Sequence, residues 1–118
     1  MWRARVPGLH HSAGLAALAF LAVPLTAQEG TVRIIQTNAA GDDVHIIDPA
    51  SNEVVDVIPG IPIAHGVTSH PDGTELYFSN EVEHTLDVVS TSTWNVVAQI
   101  PLSGRPNNVA VTPDGSKV

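Results

Sequence analysis

The side chains best suited to chemistry in this 118-residue chain are six histidines and twelve carboxylates, and the absence of cysteine confines any base or metal ligand to nitrogen and oxygen. The same absence removes disulfides, thiolate metal sites and covalent haem attachment through a Cys-x-x-Cys-His motif. The combination of interest is His65, Glu81, Glu83 and His84, followed by Arg105, Asn107 and Asn108. His65 with Glu81, Glu83 or His84 could make a nitrogen and oxygen metal site, and His65 alone could ligate a haem or act as a general base. Arg105 could bind an anion. The plainer assignment is structural: a loop histidine bonding a neighbouring carbonyl, solvated turn carboxylates, and an arginine in a salt bridge. No Ser-His-Asp order, phosphate-cradling glycine loop or paired-carboxylate motif accompanies these residues. The sequence therefore assigns no catalytic residue, no metal ligand and no cofactor.

What must position these residues is a repeat. Shifting the chain against itself by 42 positions aligns Asn38 with Asn80, Val54-Val55 with Val96-Val97, Ile58-Pro59 with Ile100-Pro101 and Val67 with Val109. Pro71-Asp72-Gly73 meets Pro113-Asp114-Gly115 in the same register. A period of this length marks a repeat architecture, either propeller blades or a helical array. The unit is rich in Val, Ile and Thr in short runs between turn residues, with no sustained helical period, which selects strands.

One unit reads as four strands, 65–70, 75–80, 85–90 and 95–101, which fits one blade of a β-propeller. Pro-Asp-Gly suits the tight turn between the first two: proline presets its backbone angle, aspartate bonds nearby amides and glycine accepts a positive φ. Asp48–Asn52 and Ser90–Thr93 are polar turns between the third and fourth strands. Residues 31–38 align with the second strand, so the first blade lacks its innermost strand, and the chain stops inside a further second strand. The expected fold is all-β: about two four-stranded antiparallel blades of a larger ring, each burying its faces against neighbours. The boundaries are 28–62 for an incomplete first blade, 63–104 for a second and 105–118 for the start of a third, with the remaining blades missing from this chain.

Residues 1–27 read as a cleavable signal peptide of the bacterial secretory type, expected as a helix: Arg3 and Arg5, an apolar core over Gly14–Val23, then cleavage after Ala27. That core is too short for a stable membrane span, which needs roughly 20 apolar residues. A periplasmic or extracellular location follows. Beyond Ala27, three basic residues face all twelve acidic ones, a balance of −9, which argues against a nucleic-acid partner.

The stretches Gly66–Asn80 (GVTSHPDGTELYFSN) and Asn108–Val118 (NVAVTPDGSKV), with Thr85–Pro101 between them, closely resemble the YVTN-type β-propeller repeat. Ser90 departs from the usual aspartate that Asp48 retains, and Ser69-His70 replaces the usual Val-Thr before the turn. The resemblance implies relatives among surface-layer and periplasmic binding proteins, lactonase-like enzymes, and the propellers of haem- or copper-dependent redox enzymes such as cytochrome d1 domains. It leaves the reaction open.

In such a blade the loop entering the innermost strand and the loop leaving the second share one rim of the central funnel. His65, Glu81, Glu83, His84, Arg105, Asn107 and Asn108 fall there, as candidate contacts to a protein or small-molecule ligand. His70 falls at the opposite, hairpin end. Asn38 and Asn80 close strand-to-loop turns, Trp94 covers a neighbouring edge, and His45 reads as a packed, hydrogen-bonded strand histidine. The leading function is an exported binding scaffold. The alternatives are the propeller of a redox enzyme of haem d1 or copper type, and a lactonase-like hydrolase.

Overall fold

The computed structural model describes residues 30–118, and the expected signal segment lies outside the described residues. Seven strands follow one another: β1 (Ile34–Thr37), β2 (Asp43–Asp48), β3 (Glu53–Pro59), β4 (Ala64–Ser69), β5 (Glu75–Asn80), β6 (Thr85–Ser90) and β7 (Val96–Pro101). They form two antiparallel meanders, a three-stranded sheet β1-β2-β3 and a four-stranded sheet β4-β5-β6-β7. Among the described residues no helix is long and apolar enough to cross a membrane.

The 42-residue period governs this geometry in detail. Strand β2 maps onto β6 without offset, and β1 maps into β5, the second strand of its unit. The register slips between Ile46 and Ile47 against β3, and between Val88 and Val89 against β7, at positions one period apart. Asn52 and Trp94, also one period apart, both adopt a positive φ, 59° and 56°. That conformation is ordinary for asparagine and uncommon for a bulky residue. Trp94 holds it while packing half-buried against the core, which agrees with its expected role of covering a neighbouring edge.

Both Pro-Asp-Gly turns close as their residues dictate. Glycine takes φ of +75° at Gly73 and +72° at Gly115. The carboxylate of Asp72 accepts from the Thr74 amide (2.9 Å), and that of Asp114 from the Ser116 amide (3.1 Å). The second turn forms although residues 105–118 belong to no sheet: the Thr112 amide reaches the Lys117 carbonyl at 2.9 Å, as His70 reaches Glu75.

The core lies between the sheets. Val44, Ile46, Ile58 and Ile61 of the first unit meet Ala64, Leu76, Phe78 and Val89 of the second in one buried cluster. Strand alternation explains the membership, since cross-strand partners Val44 and Ile58 share one face, and Leu76 and Val89 share the opposing one. Gly66 lets β4 approach the segment after β7: a Cβ there would stand 2.9 Å from the Asn107 carbonyl oxygen and 3.0 Å from the Val109 nitrogen. Only glycine admits that approach without a backbone shift.

A buried polar network sits within β5 and β6. Asp87, fully buried, accepts from Asn80 (2.9 Å), Thr85 (2.5 Å) and Gln99 (3.2 Å), and Asn80 in turn accepts from the Glu83 amide (3.0 Å). Every buried side-chain nitrogen and oxygen among the described residues has a partner. The expected turn-closing role of Asn80 is thus met through its amide oxygen. His45 differs from expectation. Its ring is 33% exposed and 3.8 Å from Asp43, because it lies on the face of the first sheet that no other described sheet covers.

Candidate functional site

One hydroxyl at the end of each second strand ties its sheet to the next repeat. Thr37 Oγ1 donates to the His65 carbonyl (3.4 Å), and Ser79 Oγ, one period later, donates to the Asn107 carbonyl (2.8 Å). Ser79 also accepts from the Gly66 amide at 2.7 Å. These bonds bring the start of β4, the end of β5 and the segment after β7 to one edge of the molecule.

At that edge Glu81 is the hub. Its carboxylate is only 11% exposed and accepts from Arg105 Nη2 on Oε2 (2.6 Å) and from Asn107 Nδ2 on Oε1 (3.1 Å). His65 Nε2 stands 3.4 Å from the same Oε1. Partial burial pushes the carboxyl of Glu81 up, but the Asn107 hydrogen bond and the charges of His65 and Arg105 together outweigh it and hold it below its usual range. The carboxylate is therefore ionised at neutral pH, while Arg105 (63% exposed) and the ring of His65 (39% exposed) face solvent on either side of it.

The structure therefore brings together four of the seven residues expected at the rim: His65, Glu81, Arg105 and Asn107. Glu83 and His84 are exposed on the β5–β6 turn and Asn108 is exposed beside Asn107, none of them bonded into the cluster. The backbone of this turn is structural, with His84 at φ 55° accepting from the Leu102 amide at 2.8 Å. Among the described residues no group of three or more His, Asp or Glu side chains converges as a metal site requires. His70 lies at the hairpin end, its Nδ1 2.6 Å from Asp72 and its ring edge-on to Tyr77.

Ser79 and Asp87 were not singled out from the sequence. The signal for Ser79 was its repeat mate Thr37, the same hydroxyl chemistry one period earlier; for Asp87 it was a lone carboxylate inside an apolar strand. The cluster around Glu81 carries a different signal. Each charged member departs from its repeat mate: Glu81 stands where the first unit has Ala39, Arg105 where it has Ile63, and His65 where the third copy has Asn107.

No protein-family profile matches the chain, and no curated protein matches it. Solved structures do. The chain is similar to Kuenenia stuttgartiensis hydrazine synthase, with a TM-score of 0.67 and 22% identity over 70% of this chain and 24% of that one. It is also similar to dihydro-heme d1 dehydrogenase NirN in complex with DHE, with a TM-score of 0.61 and 24% identity over 70% of this chain and 18% of that one. At such identities the likeness shows the fold: the two sheets are β-propeller blades. The chain spans about a quarter or less of the chains it resembles.

Proposed function

We propose that this chain is part of an exported β-propeller of the YVTN repeat type that binds a protein or a small ligand through the funnel rim around Glu81. The observation that carries the reading is the cluster itself. Blade packing repeats every 42 residues, whereas His65, Glu81 and Arg105 interrupt that repetition at one edge and meet there. Glu81 fixes Arg105 and leaves much of its guanidinium, together with the ring of His65, in solvent. An arginine oriented in this way presents hydrogen-bond donors at little further ordering cost. The arginines, apolar core and Ala27 of the first 27 residues support export to the periplasm or the cell exterior, with no stable membrane span left by that segment after cleavage. The blades run 28–62, 63–104 and from 105 onward, and further blades complete the ring.

The names of the two similar structures favour a second reading, the propeller of a redox enzyme. Among the described residues no group of three or more His, Asp or Glu side chains converges as a copper site requires, and His65 is engaged with Glu81 through Nε2. No redox step is assigned to them. Visible absorption and metal content of the purified protein separate the readings, since a haem or copper signal would overturn the scaffold reading. For the scaffold reading, peptides and saccharides that raise the melting temperature are retested on Arg105→Ala and His65→Ala. Binding should weaken about tenfold, or about 1.4 kcal/mol, and unchanged binding in both variants would remove the rim from the account.

A further inference from the structure

Between the two blades, toward the hairpin end that carries Gly73, lies a cleft of about 610 Å³, within the size range of small-molecule sites. The first blade lines it with Arg33, Ile35, Val55 and Asp56, and the second with Leu76 and Trp94. Ile35, Leu76 and Trp94 belong to the buried core or pack against it, so the floor is apolar and held in place. Arg33 and Asp56 add one charge of each sign.

The two charged residues and the tryptophan break the 42-residue repeat. Trp94 stands where the first unit has Asn52, Asp56 where the second has Ala98, and Arg33 where the second has Glu75. The turn that holds Trp94 does not need it: the Asn52 amide reaches the Asp48 carbonyl at 2.8 Å, as the Trp94 amide reaches that of Ser90 at 2.8 Å, both at positive φ. Asparagine holds that conformation more readily, and a bulky side chain kept there marks a constraint other than the turn. Nor do the charges pair with one another. Among the described residues Arg33 donates through Nη1 to the Val32 carbonyl (2.9 Å) with Asp48 3.9 Å away, Asp56 accepts from the Val57 amide on Oδ1 (2.8 Å), and no ion pair joins the two.

The occupant follows from what each group requires. An arginine fork matches a carboxylate with two parallel hydrogen bonds, a carboxylate such as Asp56 takes an ammonium group, and an indole with apolar neighbours takes a hydrocarbon chain or an aromatic ring. A ligand that is only anionic meets Asp56 and a chain that is acidic overall. One that is only cationic meets Arg33, and a neutral one desolvates both charges without pairing either. We infer that the cleft binds a free α-amino acid with a large apolar side chain, its carboxylate on Arg33, its ammonium on Asp56 and its side chain against Trp94 and Leu76. The inference is separate from the rim reading, since no residue of the Glu81 cluster lines the cleft.

Equilibrium dialysis of labelled phenylalanine against the full chain tests it. Saturable binding of phenylalanine is expected, and 3-phenylpropionate, which lacks the amine, and phenethylamine, which lacks the carboxylate, should each compete at least about tenfold more weakly. Asp56→Asn, at an exposed position, and Arg33→Gln should each weaken binding about tenfold. Trp94→Asn installs the residue that already closes the equivalent turn of the first unit, and should keep the far-ultraviolet strand signal while binding weakens by a similar factor. In a Trp2→Phe chain Trp94 is the sole tryptophan, and its fluorescence should change with the midpoint found by dialysis. The two charge variants decide the matter should Trp94→Asn lose its strand signal. No saturable binding of phenylalanine, equal competition by either analogue, or binding unchanged in both Asp56→Asn and Arg33→Gln would each overturn the inference.

Discussion

Ile58 and Ile100 form a matched pair: same residue, same place in the fourth strand of the unit, each followed by proline. Only the cover differs. Ile58 is fully buried between the blades, and Ile100 is 47% exposed on the uncovered face. Removing the side chain of Ile58 forfeits its transfer free energy and leaves a cavity, so Ile58→Ala should cost about 2–5 kcal/mol. Ile100→Ala opens no closed cavity and returns only about half a side chain's area to water, for roughly 1 kcal/mol. Urea denaturation reads both costs from the midpoint shift at constant slope. Equal costs for the two substitutions would refute the claim that the sheets bury their faces on one another in sequence order.

Three further outcomes follow from the same geometry. Gly66→Ala places a methyl group against the backbone of 107–109 and should destabilise by about 1–3 kcal/mol in the same urea assay, whereas Gly104→Ala, with nothing within 4 Å, should change stability far less. Asp87→Ala leaves the Asn80, Thr85 and Gln99 donors inside the sheet without their acceptor and should cost about 1–3 kcal/mol; a smaller loss would mean that water reaches them. Asp114 is held down to about 2 by hydrogen bonds from the Thr112 side chain and from Ser116, and Asp72 to about 2 by the Thr74 amide and hydroxyl and then by His70. Both pKa values lie below the unfolded value, so their stabilisation is present above about pH 4 and is lost as pH falls toward 2. Acid titration of stability should therefore fall across that window, and Asp114→Asn should flatten the fall.

Much of the fold was legible because a blade writes its geometry into local chemistry. The strands expected at 65–70, 75–80, 85–90 and 95–101 form with ends within one residue, since β-branched runs between Pro-Asp-Gly and polar turns leave little latitude. Less of the rim was legible. Glu81 reads in sequence as a solvated turn charge, yet it is nearly enclosed, because its partners Arg105 and Asn107 arrive 24 and 26 residues later from the following repeat. His45 reads as packed because apolar residues flank it, but alternation puts those neighbours on the other face of the strand. The hydroxyl ties of Thr37 and Ser79 escape a search for identities because serine and threonine do the same work under different letters. What the repeat does expose is its own interruption, and Glu81, Arg105 and His65 are interruptions that meet.

The account stands on consecutive repeats packing side by side, and a close backbone approach in that packing is Gly66 against the segment that follows β7. A nuclear Overhauser measurement on the labelled chain tests it most directly. A strong cross-peak between the Gly66 α-protons and the Val109 amide proton is predicted, alongside the β4–β5 cross-peaks that report an intact second blade. Intact β4–β5 cross-peaks without the Gly66–Val109 contact would contradict it.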